Sequence, residues 1–449
     1  MDKIKLNGNI NYNLSRLFRW SIIAGLAGFL FGFDTVVISG ADKTLQSLWS
    51  SSDLYHGIIV MSMALWGTVI GAIFGGIPND KLGRKKTLIL IGVLYSISAI
   101  GSSLAVSAEI FSLFRFIGGI GIGISTIAVP SYITEISPPE NRGTLVSLYQ
   151  FNVVFGMLFA FLSNYILNDF GISWRVMIGI EIIPAIIYTI FTFSIPNSPR
   201  WLIANKRSEE AEIVLNEINS KKITKQLMTE IILDVDAKKL EENIFLKKYR
   251  FILYLTFLIA FFNQFSGINA ILYYAPRIFE ETGLGYNDAL LSSVLIGIVM
   301  VAFTLIGVFL IDRIGRKNLM YFGSIGYIIS LSLISFGLAA EWGGVSVPIL
   351  ILIFIASHGI GQGTVIWVFI SEIFPNHLRS SGQSFGSSVH WILAAIIPSM
   401  IPYLFSTIGS EIVFSFFTLM MIFQLLFVKY LMPETKGVSI EELFKKLIS

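Results

Sequence analysis

Asp34 sits in the middle of GLAGFLFGFDTVVISG, an apolar run with the length of a membrane-spanning helix. A carboxylate at the centre of such a helix costs about 2.5–3.5 kcal/mol, so it needs a partner and a task. In a later run, FSLFRFIGGIGIG, Arg115 is the basic residue away from the ends. Opposite charges in hydrocarbon are satisfied most readily by each other, which predicts an Asp34–Arg115 pair. The guanidinium and the apolar surroundings pull the carboxyl toward opposite protonation states, so a modest rearrangement can switch it. That is the chemistry of proton coupling, and a static ion pair joining two helices is the plainer alternative. Glu181, in GIEIIP, is a second intramembrane carboxylate.

Polar groups of another kind gather in FFNQFSGINAILYYAPRIF. Asn263, Gln264 and Asn269 cannot share one face of a straight helix at that spacing. Ser266 and Gly267 between them predict a local break that lets all three point inward. An amide offers a donor and an acceptor to vicinal hydroxyls, although Asn and Gln also bond between spans with no ligand present. The glycines 359, 361 and 363 predict a bend in a later run, HGIGQGTVIWVFISEIF.

The elements that position these groups follow from composition. The chain has 449 residues, of which 54% are hydrophobic and 14% charged, a balance that excludes a soluble globular protein. Zero cysteines exclude disulfides and thiolate chemistry, four histidines leave little room for a metal centre, and a net charge of +3 gives no reason to expect nucleic acid. No cofactor is expected. The polar first residues and the long first apolar run do not read as a cleavable signal.

Twelve apolar stretches of about twenty residues begin near 17, 58, 87, 109, 146, 174, 251, 288, 318, 347, 382 and 411. Nearly all Lys and Arg fall in NDKLGRKK, DRIGRKN, the hydrophilic segment 198–250 and the tails, whereas the opposite loops hold Lys43, Arg175 and Arg277. The positive-inside rule makes the first set, with both termini, cytoplasmic. Segment 198–250 reads as short amphipathic helices on that face. The chain also repeats itself: DKLGRK returns as DRIGRK, and ITEISPPENRG around Glu135 as ISEIFPNHLRS around Glu372, with Arg142 and Arg379 seven residues further on. A parallel duplication of a six-helix unit explains both pairs.

These motifs, with PNSPRWL and PETKG, resemble in order and spacing the signatures of the sugar porters of the major facilitator superfamily. The resemblance runs from the first span to the tail. It implies an all-α membrane protein of twelve transmembrane helices in two pseudo-symmetric six-helix bundles around a site that opens alternately to either side. The expected divisions are an N-terminal bundle (1–197), a cytoplasmic helical linker (198–250), a C-terminal bundle (251–431) and a cytoplasmic tail (432–449).

By the same resemblance, Asp34, Arg115 and Glu181 serve proton coupling. Gln150, Asn263, Gln264, Asn269, His358, Trp367, His390 and Trp391 contact a monosaccharide. Tyr273 and Tyr274 form an outer gate, and Arg84, Glu135, Arg142, Arg316, Glu372 and Arg379 form inner salt-bridge clusters. Fructose-selective animal facilitators are similar in having His at the positions of His358 and His390. Asn263 departs from the usual Gln, Met300 from a frequent Asn, and Asn197 from an acidic residue. The implied function is import of a monosaccharide with a proton, by a monomer in the plasma (inner) membrane. A passive uniporter and, more remotely, a sugar sensor remain alternatives at this point; an enzyme is not expected.

Overall fold

The computed structural model describes residues 13–138, 141–236, 243–375, 378–438, 442–444 and 447; the first twelve residues and parts of the linker and tail lie outside the described residues. Eleven segments among them are long and apolar enough to cross a membrane: Leu14–Gly40, Arg84–Leu104, Ala108–Ile136, Arg142–Asp169, Trp174–Thr192, Lys247–Glu281, Tyr286–Ile314, Arg316–Ala339, Ser346–Ile373, Ser381–Ile408 and Ser410–Tyr430. A pair bent by 42°, Asp53–Met61 with Met63–Phe74, supplies the second of twelve spans in chain order. Three helices between the sixth and seventh spans, Pro199–Ala204, Ser208–Ile218 and Lys221–Asp236, fit the amphipathic pattern read there.

The duplication is visible in the packing. Within the first half the first span lies on the fifth, the second on the fourth and the third on the sixth; within the second half the seventh lies on the eleventh, the eighth on the tenth and the ninth on the twelfth. The halves meet where the fifth span packs on the eighth and the second on the eleventh. Small residues allow the closest approaches. A Cβ on Gly119 would collide with the carbonyl of Ala64, and one on Gly67 with that of Phe116, so the second and fourth spans touch backbone to backbone. One turn before Gly119, Arg115 turns into the interior and is 1% exposed. The outer surface is apolar by the same logic: on the sixth span Ile183, Ile186, Ile187 and Ile190 are exposed on one helix face while Ala185, Tyr188 and Thr192 are buried on the other.

Candidate functional site

Asp34 and Arg115 are together at the centre of the first half. Arg115 Nη1 donates to Asp34 Oδ1, and its Nη2 donates to the Asp34 carbonyl oxygen at 2.8 Å. Neither side chain reaches solvent, and Asp34 Oδ2 has no hydrogen-bond partner. Glu181 is also fully buried, at the break between Trp174–Gly179 and Ile182–Thr192, and its carboxyl oxygens have no donor other than the neighbouring Asp34 carboxyl. It lies in the field of both Asp34 and Arg115. Two carboxyls against one guanidinium leave room for one proton before the cluster is neutral. Tyr273, from the other half, has an unpartnered buried hydroxyl in the same field, so the charge cluster abuts the seventh span.

The seventh span breaks where Ser266 and Gly267 predict. Gly267 is left-handed (φ +83°) between Arg250–Phe265 and Ile268–Glu281, and a Cβ there would lie 2.5 Å from the Phe417 ring. The break brings the three amides into one chain. Asn269 Nδ2 donates to Gln264 Oε1 at 2.7 Å, and Gln264 Nε2 donates to Asn263 Oδ1 at 2.9 Å. Beyond them Tyr273 and Tyr274 are fully buried, Tyr274 is the second non-helical residue of the span, and its hydroxyl donates to the Pro398 carbonyl at 2.9 Å.

Aromatic and imidazole rings close the space beside the amides. Gln264 Nε2 lies 3.2 Å from His390 Nδ1, and the His390 ring stands between Trp367 at 5.0 Å and Trp391 at 4.9 Å. Trp391 is buried, its indole N–H has no partner, and its ring meets Phe31 of the first half at 5.5 Å. A buried donor without an acceptor is what a polar ligand can satisfy. His358 bonds a different partner, with its Nδ1 2.6 Å from the Tyr327 hydroxyl. The tenth span bends at Gly361, between Ser346–Ile360 and Gln362–Ile373. Gln150 is half-buried on the fifth span and takes no part in the amide chain among the described residues.

At the end that carries the GRK loops, the ion pairs lie within each half. Arg84 bridges Glu135 at 2.8 Å and Asp80 at 3.2 Å; Arg316 bridges Glu372 at 2.7 Å and Asp312 at 2.9 Å. Asp80 and Asp312 thus meet the arginine side chains four residues on. The backbone N–H groups at the starts of these helices go instead to residues of the paired PNS and PET motifs: Asn197 Oδ1 accepts from Lys85, and Glu434 accepts from both Arg316 and Lys317, each at 3.0 Å. The neutral Asn197 makes one such bond where Glu434 makes two. Arg142 is exposed and Arg379 half-buried, and neither has an ion pair among the described residues.

Bonds between the halves gather at the opposite end. Asp42, in the short helix Asp42–Leu48 after the first span, accepts from Arg277 Nε at 2.6 Å and Nη2 at 2.9 Å, and faces His56 Nε2 at 2.8 Å. Arg277 also donates to Gln46 at 2.5 Å, Lys43 pairs with Glu280 at 2.7 Å, and the Tyr286 hydroxyl donates to the Gly40 carbonyl. Burial pushes the Asp42 carboxyl up, but the Arg277 charge and the His56 bond outweigh it and hold it below its ordinary value. This latch was not anticipated. Lys43 and Arg277 entered the sequence reading only as orientation charges, and residues at span ends carry no pattern that names a partner 235 positions away. Gln362 and Gln424, both fully buried, were also missed; a lone Gln in an apolar run was the available signal.

Residues 20–446 match the family model described as "Sugar (and other) transporter". The chain is 36% identical to the arabinose-proton symporter of Bacillus subtilis (strain 168), covering 95% of this chain and 94% of that one. It is 30% identical to the D-xylose-proton symporter of Escherichia coli (strain K12), over 97% and 96%. Among solved structures it is similar to the partially occluded inward open conformation of the xylose transporter XylE from E. coli, with a TM-score of 0.85, 28% identity and coverage of 95% and 100%. With the twelve spans, the paired six-helix halves and the repeated loop motifs, these matches identify the chain as a sugar transporter, belonging to the sugar porters of the major facilitator superfamily.

Proposed function

We propose that the protein imports a monosaccharide together with a proton by alternating access, with the GRK loops and both termini in the cytoplasm. The observation that carries the reading is the buried Asp34–Arg115 pair, with the Glu181 carboxyl beside it, set against a span whose broken middle gathers three amides. Relatives named as arabinose–proton and xylose–proton symporters support it. In this account the proton enters at the carboxyl pair from outside and loosens Asp34 from Arg115. Sugar then binds between the amides and the Trp367–His390–Trp391 rings, and the halves rock about their contacts. The membrane potential and pH gradient drive the cycle.

The bonds between the halves at the Asp42 end, and the ion pairs confined within each half at the other, support a state closed outside and open inside, with Tyr273 and Tyr274 as the outer gate. Breaking the Arg84–Glu135 and Arg316–Glu372 clusters and rejoining them across the halves would accompany the opposite state. His390 beside the amides supports fructose, and the relatives bring arabinose and xylose into the same panel.

The test is uptake of labelled fructose, glucose, xylose and arabinose into liposomes holding the purified protein, with and without an inward proton gradient. Accumulation of one sugar above its outside concentration only with the gradient is the expected result. Equilibration regardless of the gradient makes the protein a passive carrier and Asp34 a structural charge.

A further inference from the structure

We propose that a one-way relay of buried amides, from the seventh span through the tenth and twelfth to the ninth, fixes which end Asn269 shows to the sugar, with Gln362 and Gln424 as positioning residues for recognition. The inference rests on the sugar-transport reading above.

A primary amide is a donor at one end and an acceptor at the other, and the two ends have nearly the same shape. A sugar site built from amides therefore needs something that decides which end points where. Six links supply it. Asn269 Nδ2 donates to Gln264 Oε1 (2.7 Å), Gln264 Nε2 to Asn263 Oδ1 (2.9 Å) and Asn263 Nδ2 to Gln362 Oε1 (3.4 Å). Gln362 Nε2 then donates to Gln424 Oε1 (2.8 Å), Gln424 Nε2 to Ser324 Oγ (2.8 Å) and Ser324 Oγ to the Met320 carbonyl (2.7 Å).

Every link runs in the same sense, and the last acceptor is a main-chain carbonyl, which cannot become a donor. Reversing one interior amide would set two N–H groups and two oxygens against each other in a site with no water to satisfy them. Gln362 and Gln424 are wholly buried, with all their polar atoms bonded, so neither touches the sugar. Gln362 is placed by the Gly361 bend, since it is the first residue of the helix that resumes after it.

The consequence appears at the open end. Asn269 spends one N–H on Gln264, and its Oδ1 has no protein partner among the described residues on a half-buried side chain. It is thereby presented as an acceptor for a sugar hydroxyl. Gln264 likewise has its oxygen occupied and turns its remaining N–H toward His390. The relay thus makes Asn269 an acceptor from a residue two helices away.

The test is equilibrium binding of tritiated fructose, glucose, xylose and arabinose to the purified full-length protein in nanodiscs, as a double-mutant cycle. Gln424→Met keeps the side-chain length and removes the relay. On the wild-type background it is expected to weaken binding about tenfold, and on an Asn269→Ala background by less than about twofold, since the sugar-facing amide at the open end of the relay is already gone. Gln424→Glu still accepts from Gln362 and is expected to stay within about threefold of wild type. Ser324→Ala, a smaller change than Gln424→Met, repeats the cycle should the latter fail to fold. Equal weakening on both backgrounds, or none on either, overturns the relay. Binding of none of the four sugars by the wild type overturns the sugar reading, and the relay with it.

Discussion

Replacing Arg277 with Met removes the guanidinium that joins the halves at the Asp42 end and leaves an unbranched side chain of similar reach. Asp42 is 3% exposed and the Arg277 side chain 11%, so this is a nearly dry, two-point ion pair. Removing one partner of a buried pair costs about 3–5 kcal/mol. Asp42 keeps His56, which lowers the loss to about 2 kcal/mol, felt only when the halves are together. That is about 30-fold in the ratio of open to closed at this end. A protein 99% closed there would become about a quarter open.

The chain has no cysteine, so spin labels at Phe170→Cys in the first half and Asp288→Cys in the second, both exposed, report the separation without background. Double electron–electron resonance in nanodiscs is expected to give one short-distance population for the wild type. Arg277→Met should add a longer one, and Asp42→Asn should act in the same direction. Superimposable distributions for the wild type and both variants would refute the latch.

The same labels test the latch against pH. The Asp42 carboxyl is held below its ordinary value of 3.8, so its contribution is present above that value and lost only as pH falls through the lower folded one. The closed population of an Asp34→Asn protein should therefore not change between pH 7 and 5, and opening in that window would contradict the assignment. His390→Gln, which removes the ring between Trp367 and Trp391, should change the ratio of fructose to glucose competition by about threefold or more; an unchanged ratio removes His390 from selection. Gly267→Val forces a branched side chain into φ +83° and against Phe417, and should lower stability by about 2 kcal/mol or more. An unchanged melting temperature would mean that the break tolerates a side chain.

The spans were legible because about twenty apolar residues in a row have few other uses. Asp34 and Arg115 were legible as a pair because each is costly alone, and the seventh-span break because Gly267 follows two amides that a straight helix could not turn inward together. The Asp42–His56–Arg277 latch was not, because charges near span ends are common and their register across the halves is set by packing. Gln362 and Gln424 escaped for a related reason: one donates to the other across two spans, and a sequence shows one Gln at a time. Asp80 and Asp312, four residues before the arginines of the repeated loops, bond the side chains of Arg84 and Arg316. The helix starts had other acceptors in Asn197 and Glu434, more than a hundred residues away.

The most direct test of the coupling role of Asp34 is a paired transport measurement on Asp34→Asn in liposomes. The neutral amide keeps the shape but cannot carry the proton or the charge that Arg115 holds. Sugar exchange at equal concentrations on both sides should persist, while accumulation driven by an inward proton gradient should disappear. Accumulation that survives the substitution would contradict the account and transfer the coupling to another group, Glu181 first.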